Sequence, residues 1–500
     1  MRRKPRRRQA SIGVRLPPNN DDHDCGWKLY ARSQDAKLAE VTAKLDEVQG
    51  QLATLLKRVH GAKSEQRPKH KLPPPVAPVA DPEQTANKRR AATALWSTKV
   101  ETEVVPVPVL PEQCRCPDCG NTTLRRVGQG KPSTVYEFVQ PHFRKRVYQR
   151  ETRSCRCGYI VTASAPDRVG DKTRYAPSFV AHLAVSKCGD SIPQYRMEKA
   201  YRNIGIPMSR STMCDLFHRA AKELRPLYTA ALALVPKAAD VHADETTIRQ
   251  MGLKKKAFLW DFVTPELIVY RYALSRSGDT PKEVLGDSTG RLVVDQHTGY
   301  NAVTKPGQRV RAGCLAHARR KIYEQREHPE AKEALDLIGE IYLVEQKAKK
   351  EGLVGTEAHL ALRQRHSRPL FARLLRWGHR HKERFEPRSA MGRAIRYLLK
   401  NFRELGRFLR YATIPPDNNV AEAALRRVAL GRSNFLFVGN EKSGHDLAVL
   451  YTLVASCEKH RVNPIAYLTD VLVRVQKHPA ARIEELLPHR YKPTERSAER

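Results

Sequence analysis

The chain has 500 residues, 40% of them hydrophobic, with 90 Lys and Arg against 53 Asp and Glu for a formal charge of +37 and a pI near 10.0. That length exceeds one ordinary core and calls for several domains, and the charge makes a compact state self-repelling unless an anionic partner neutralises it, most commonly nucleic acid. No apolar run reaches the roughly 18 residues of a membrane span, and "MRRKPRRRQASIG" lacks the apolar stretch of a signal peptide, so no membrane partner and a cytoplasmic location are expected.

Residues 1–33 are basic without a sustained period and read as a solvated, disordered tail. A leucine-zipper-like helix is expected over 34–62, where Leu38, Val41, Leu45, Val48, Leu52, Leu55 and Val59 alternate in steps of three and four and draw a seam along one face. Such a short seam either pairs two chains or packs within one. Residues 63–112 carry "KLPPPVAPVADP" and "VVPVPVLP", extended linker material.

Five of the ten cysteines fall in "CRCPDCG" and "SCRCGY", inside a zinc-ribbon-like segment over 113–165. Cys116 with Cys119, then Cys155 with Cys157, make two close thiolate pairs, each followed by a glycine, that can enclose one structural Zn2+ tetrahedrally. The second pair is one residue tighter than usual, and Cys114 either replaces a ligand or is free. The ribbon either contacts DNA or is purely structural.

Over 172–235 the pattern turns helical, and "SIPQYRMEKAYRNIGIPMSRSTMCDLFHRAAKEL" reads as a helix, a Gly-containing turn and a second helix capped by Ser209 or Ser211. A helix-turn-helix of this kind lays its second helix, with Arg210 and Arg219, in a major groove. The same pattern also serves as a plain packing element.

Residues 236–440 switch period. "AADVHADETTIRQ", "KKAFLWDFVTPELIVYRYALS" and "RLVVDQH" read as strands, with a helix near "DTPKEVLGD" and another from about Ala316, which indicates a mixed sheet in an α/β domain. A helical insertion over about 328–410 interrupts it. That block is basic, since 361–410 contains 15 Lys or Arg against 3 Glu.

Three acids stand apart. Asp244 ends a strand built from Ala238 to Ala243, Asp295 closes "RLVV", and Glu422 lies on a helix begun by "PDNN". Singly, each is an ordinary solvated turn residue. If the strands are neighbours and the helix crosses their ends, the carboxylates converge and repel one another unless divalent cations lie between them. Two Mg2+ or Mn2+ ions about 3.5–4 Å apart would then clamp the oxygens of an in-line phosphoryl transfer. Arg426, one turn from Glu422, either touches a phosphate or pairs with the acid, and Arg432 belongs to the same phosphate-facing run. In "CLAH", Cys314 and His317 are two soft ligands without a second pair nearby, which favours a buried Cys and a packed or phosphate-facing His. Arg319, Arg320 and Lys321 would track a DNA backbone.

"VHADET", "VVDQHTGY", "CLAHARRK", "PDNNVAEAALRRVALGRSNFLF" and "NPIAYLTDVLVRVQKHPAARIEELLPHRY" resemble the transposases of the insertion-sequence sixty-six family, bacterial DDE transposases, over residues 35–491. The resemblance implies a ribonuclease-H-like core whose catalytic triad is Asp244, Asp295 and Glu422, separated by 51 and 127 residues, and a C-terminal helical region over 441–491. After Asp295 the chain has Gln296 and His297 where the family tends to have Gly and an aromatic. The implied activity is metal-dependent DNA strand cleavage and transfer at terminal inverted repeats, with target DNA as second substrate, in the nucleoid. At least a homodimer and small companion proteins of the same element are implied as partners. Two further readings share these features: a degenerate, non-catalytic repressor, and a nuclease that cuts without joining.

Overall fold

The computed structural model describes residues 175–206 and 208–493, together with 168–169, two short strands and helical residues between 34 and 48. The tail at 1–33, the linker at 63–112 and the zinc-ligand candidates Cys114, Cys116, Cys119, Cys155 and Cys157 lie outside the described residues. Of the expected seam, Leu38, Val41, Leu45 and Val48 are on a helix with their side chains exposed, and Leu52, Leu55 and Val59 lie outside the described residues. Strands β1 (Thr152–Ser154) and β2 (Ile160–Thr162) pair antiparallel.

Four helices follow, α1 (Pro177–Cys188), α2 (Gln194–Asn203), α3 (Arg210–Glu223) and α4 (Arg225–Leu234). Pro177 opens α1 at a position whose N–H would have no helical partner anyway. Ser209 caps α3, its hydroxyl accepting from the Thr212 amide at 3.2 Å. The apolar face of α3, formed by Met213, Leu216, Phe217, Ala220 and Ala221, is buried in the main core.

The sheet contains β3 (Asp240–Ile248), β4 (Ala257–Val263) and β5 (Ile268–Ala273), then, after helix α5 (Asp279–Leu285), β6 (Arg291–Val294) and β7 (Val310–Gly313). Its order is β5-β4-β3-β6-β7. The first three strands form an antiparallel meander, and β3, β6 and β7 run parallel. Both faces are covered, and alternation along β6 records it: Leu292 and Val294 belong to one apolar cluster, Val293 to the other.

The second cluster is built on a helical block between β7 and the last part of the sheet domain. It comprises α6 (Leu315–Tyr323), α7 (Pro329–Lys350), α8 (Glu357–Leu362), a wider helical turn at Arg363–Ser367, α9 (Arg368–His381), α10 (Ala390–Lys400) and α11 (Phe402–Leu405). Buried Arg363 fastens the block: it binds both Glu345 oxygens, at 2.8 and 2.6 Å, and donates to the carbonyls of Phe408, Tyr411, Ala412 and Ile414.

The chain returns to the sheet in α12 (Asn419–Phe435), α13 (Glu441–Lys459) and α14 (Pro464–Arg474). Helix α13 covers edge strand β5, whose outward groups would otherwise invite another strand. Thr452 and Ser456 accept from the Tyr270 and Ile268 amides at 3.0 and 3.1 Å. Gly444 makes the close approach possible, because a Cβ there would lie 2.5 Å from the Tyr272 ring. Among the described residues no helix is long and apolar enough to cross a membrane.

Candidate active site

The β3–β6 pairing aligns the first two acids. Its register ends with His242 opposite Val293, and two residues further along each strand stand Asp244 and Asp295. Parallel neighbours lie about 4.8 Å apart and residues two apart share a face, so the two carboxylates leave the sheet side by side. One expectation needs correcting in detail. Asp244 does not end its strand, because β3 continues to Ile248, paired with β4; what ends there is only the pairing with the shorter β6. Asp295 does follow the last residue of β6.

Each acid is held locally. Asp244 Oδ1 accepts from the Glu245 amide at 2.9 Å, and Asp295 Oδ1 accepts from the His297 amide at 2.8 Å. Arg311 on β7 fixes the loop after β6 by donating to the Asp295 and His297 carbonyls. Gln296 donates to Glu404, and His297 Nδ1 accepts from the Gly299 amide at 3.2 Å.

Glu422 arrives on the first turn of α12, beside α6. The link between these elements is Asn418, buried at the helix start. Its side-chain amide donates to the Ala243 carbonyl at 2.8 Å, its Oδ1 accepts from the His242 ring at 3.1 Å, and its backbone N–H donates to Cys314 Sγ at 3.3 Å. One residue thereby ties β3, the start of α6 and the start of α12 together. Electrostatics register the convergence: the Asp244 carboxyl is pushed up to about 7, first by burial and then by the charges of Glu245, Asp295 and Glu422. A carboxylate whose ionisation is opposed by its acidic neighbours suits a divalent cation, and the hard oxygen donors of the three acids suit Mg2+ or Mn2+.

Three contributors had no motif to mark them. Asp261 lies opposite Asp244 on β4, fully buried, and its Oδ1 accepts the Asp244 amide at 2.9 Å. Glu245 turns to the other face of β3, where it accepts from the Tyr300 hydroxyl at 2.7 Å and pairs with Arg276. Asn418 was legible only as part of a helix start. A polar side chain at a helix start looks like a cap in sequence, and its cross-strand role depends on tertiary packing.

The basic candidates divide. Arg320 approaches Glu422 Oε2 at 3.9 Å and is half exposed, and Lys321 stands 5.0 Å over the Tyr397 ring. Arg319 lies over Tyr323 at 5.5 Å. Arg426 is exposed and makes no ion pair with Glu422. Arg432 is committed within the fold, donating to Thr246 Oγ1 and the Thr247 carbonyl, both at 2.7 Å, and so fastens α12 to β3. Its neighbour Arg427 turns to Glu458 at 2.5 Å. On α3, Arg210 pairs with Glu198 at 3.2 Å, and Arg219 is partly buried.

Comparison with known proteins bears on this constellation. Residues 172–446 match the Transposase IS66 family, and residues 452–489 match the IS66 C-terminal element. Three proteins of Sinorhizobium fredii (strain NBRC 101917 / NGR234) are similar. Uncharacterized protein y4hP is 30% identical over 436 residues, 81% of this chain and 78% of its own. Uncharacterized proteins y4qI and y4jD are each 30% identical, over 75% and 77% of this chain and 74% and 80% of theirs.

Proposed function

The chain belongs to the IS66 family of transposases, and we propose that it is catalytically active, cleaving and joining DNA strands at the terminal inverted repeats of a bacterial insertion sequence. The strand order β5-β4-β3-β6-β7, three antiparallel and then parallel, supports a ribonuclease-H-like core, with the helices between β7 and α12 as an insertion in it. Asp244, Asp295 and Glu422 are its catalytic acids. The reading is supported above all by the β3–β6 register, which ends two residues before Asp244 and Asp295, and by Asn418, which ties β3 to the helix that carries Glu422.

A divalent ion bound by these oxygens supplies charge neutralisation and an activated water. The chain's own residues do the positioning. Asp244 and Asp295 hold their oxygens at the ends of the β3–β6 pairing, and Asn418 keeps α12 seated so that Glu422 completes the set. Arg320 and Arg426 lie where a phosphodiester over the acids would be met by guanidinium groups. Catalysis in this arrangement rests on geometry and electrostatics, without a covalent protein intermediate.

The remaining regions are assigned by the same reading. The helix-turn-helix-like region at 172–235 and a zinc ribbon at 113–165 recognise the inverted repeats, and the basic insertion holds DNA by its phosphates. The seam that includes exposed Leu38, Val41, Leu45 and Val48 joins two chains. The protein works in the cytoplasm on nucleoid DNA.

The test incubates purified full-length protein with a labelled element end, Mg2+ and a target plasmid. Wild type is expected to yield joined product, and Asp244→Asn and Asp295→Asn to yield none while still retarding the labelled end in a gel. Binding without cleavage by wild type would instead establish the repressor, and cleavage without joining the nuclease.

A further inference from the structure

The environment of Glu422 contains two atoms that the carboxylate triad leaves unexplained. His317 Nδ1 and Glu422 Oε1 are both buried and both without a hydrogen-bond partner. They face each other at 3.7 Å, beyond hydrogen-bonding distance. Cys314 Sγ completes a group in which one donor atom from each residue lies within 4.8 Å of the other two. Sequence reasoning found Cys314 and His317 but no partner for them, because the third donor comes from more than a hundred residues further along, brought over when α12 docks on α6.

The spacing is that of ligands. Around one tetrahedral zinc, with bonds of about 2.0 Å to nitrogen or oxygen and 2.3 Å to sulfur, neighbouring donors stand roughly 3.3–3.6 Å apart. A separation of 3.7 Å between His317 and Glu422 needs a closure of a few tenths of an ångström. Cys314 and His317 are the N-cap and the third residue of α6, so both project from one turn. The sulfur accepts from the Asn418 N–H at 3.3 Å, the kind of outer contact that supports a metal-bound thiolate. A plain salt bridge would draw the His317 and Glu422 atoms into contact, and a purely apolar role for the cysteine gives no reason for the Asn418 amide aimed at its sulfur.

We infer that Cys314, His317 and Glu422 form a binding site for one zinc-class divalent cation, distinct in donor chemistry from the carboxylate-held ions. The mixed S, N and O donor set selects a borderline cation over Mg2+, and three protein ligands leave a fourth position for water. The ion joins the start of α6 to the first turn of α12. It takes Glu422 Oε1 and leaves Oε2 on the side of Arg320, so it fixes the orientation of this acid. The site does not depend on strand transfer and stands or falls separately from it.

Zinc content of the purified full-length chain, measured by inductively coupled plasma mass spectrometry, tests the inference. Cys314→Ser and His317→Gln, each checked by circular dichroism for an unchanged fold, are expected to hold one zinc per chain fewer than wild type. The same loss is expected in a Cys116→Ser, Cys119→Ser background, which separates this site from any ion held by the N-terminal cysteines. Cobalt added to that background should produce a thiolate-to-cobalt charge-transfer band that Cys314→Ser removes, a readout on a parent protein whose α6 and α12 are intact. Zinc content indifferent to both substitutions, or no cobalt–thiolate band in the parent, overturns the proposal and leaves a buried thiol beside a loose ion pair. Asp244→Asn is expected to abolish joining with zinc content unchanged, so a failure of either reading is recognisable by itself.

Discussion

Asp261 is an acid that the fold keeps from behaving as one. Fully buried on β4, it accepts the Asp244 amide with one oxygen and has no partner for the other, and burial together with Asp244 raises its carboxyl well above the usual range. It stands on β4 directly opposite Asp244, one of the candidate acids. Asp261→Asn is expected to change stability by no more than about 1 kcal/mol in urea unfolding, whereas Asp261→Leu leaves the Asp244 amide without its acceptor and costs about 1–3 kcal/mol. Asp244 itself gives a pH signature. With its folded carboxyl near 7 and an unfolded value of about 3.9, the native chain binds more protons between those values. Without divalent metal, its contribution makes stability fall as pH rises from about 4 to 7 and level off above. Mg2+ bound at this carboxylate would favour its ionised form and oppose the trend. Urea midpoints at pH 5 and pH 8, in chelator and in Mg2+, are expected to show metal stabilising the protein more at pH 8. That difference should shrink in Asp244→Asn.

Between elements, two polar clamps join segments far apart in the chain. His218 on α3 meets Asp446 on α13 at 2.8 Å, and Arg225 meets the same acid at 2.6 Å. The hydrogen bond to Asp446, and secondarily one to Cys214, holds the His218 imidazole up at about 9. A raised pKa in the folded state stabilises fully below the unfolded value of about 6.5 and is lost as pH rises through 9. The α3–α13 clamp should weaken over that window by an amount on the order of 2 kcal/mol. Denaturant midpoints at pH 6, 7.5 and 9 are expected to decline in wild type and to stay flatter in His218→Gln. Arg363 is the second clamp. Replacing it by Met leaves four carbonyls without their donor and Glu345 with only His359, at 3.2 Å, and an expected loss of about 3–5 kcal/mol would be read from chemical unfolding. Neither clamp was legible in the sequence. Period and composition located strands, helices and the basic block, because alternation and helical spacing are local. His218, Asp446, Glu345 and Arg363 are ordinary surface-type residues until packing buries them against partners far along the chain. The acids Asp244 and Asp295 stood out because each reads as the close of a strand, apolar in the case of Asp295. Asp261 did not, since it sits inside a strand that reads as core.

For the whole molecule, the charge of +37 is an unfavourable load in isolation and a driving force in the presence of a polyanion. Much of it is not free to meet DNA. Arg311, Arg363, Arg427 and Arg432 are spent on carbonyls and carboxylates within the fold, whereas Arg320, Lys321 and Arg426 are exposed. The distinction is measurable through counterion release. Each phosphate contact to duplex DNA contributes about −0.9 to the slope of log affinity against log salt concentration. Arg320→Ala, Lys321→Ala and Arg426→Ala are therefore each expected to make the slope shallower by about one, and to weaken binding to specific and unrelated sequences alike. Arg432→Ala is expected to leave the slope unchanged while lowering the unfolding midpoint, since it removes the tie between α12 and β3. Fluorescence anisotropy with a labelled duplex, over a series of salt concentrations for each variant, separates the two classes. A slope change in Arg432→Ala equal to that in Arg320→Ala would show that the fold leaves this guanidinium available to the phosphates after all.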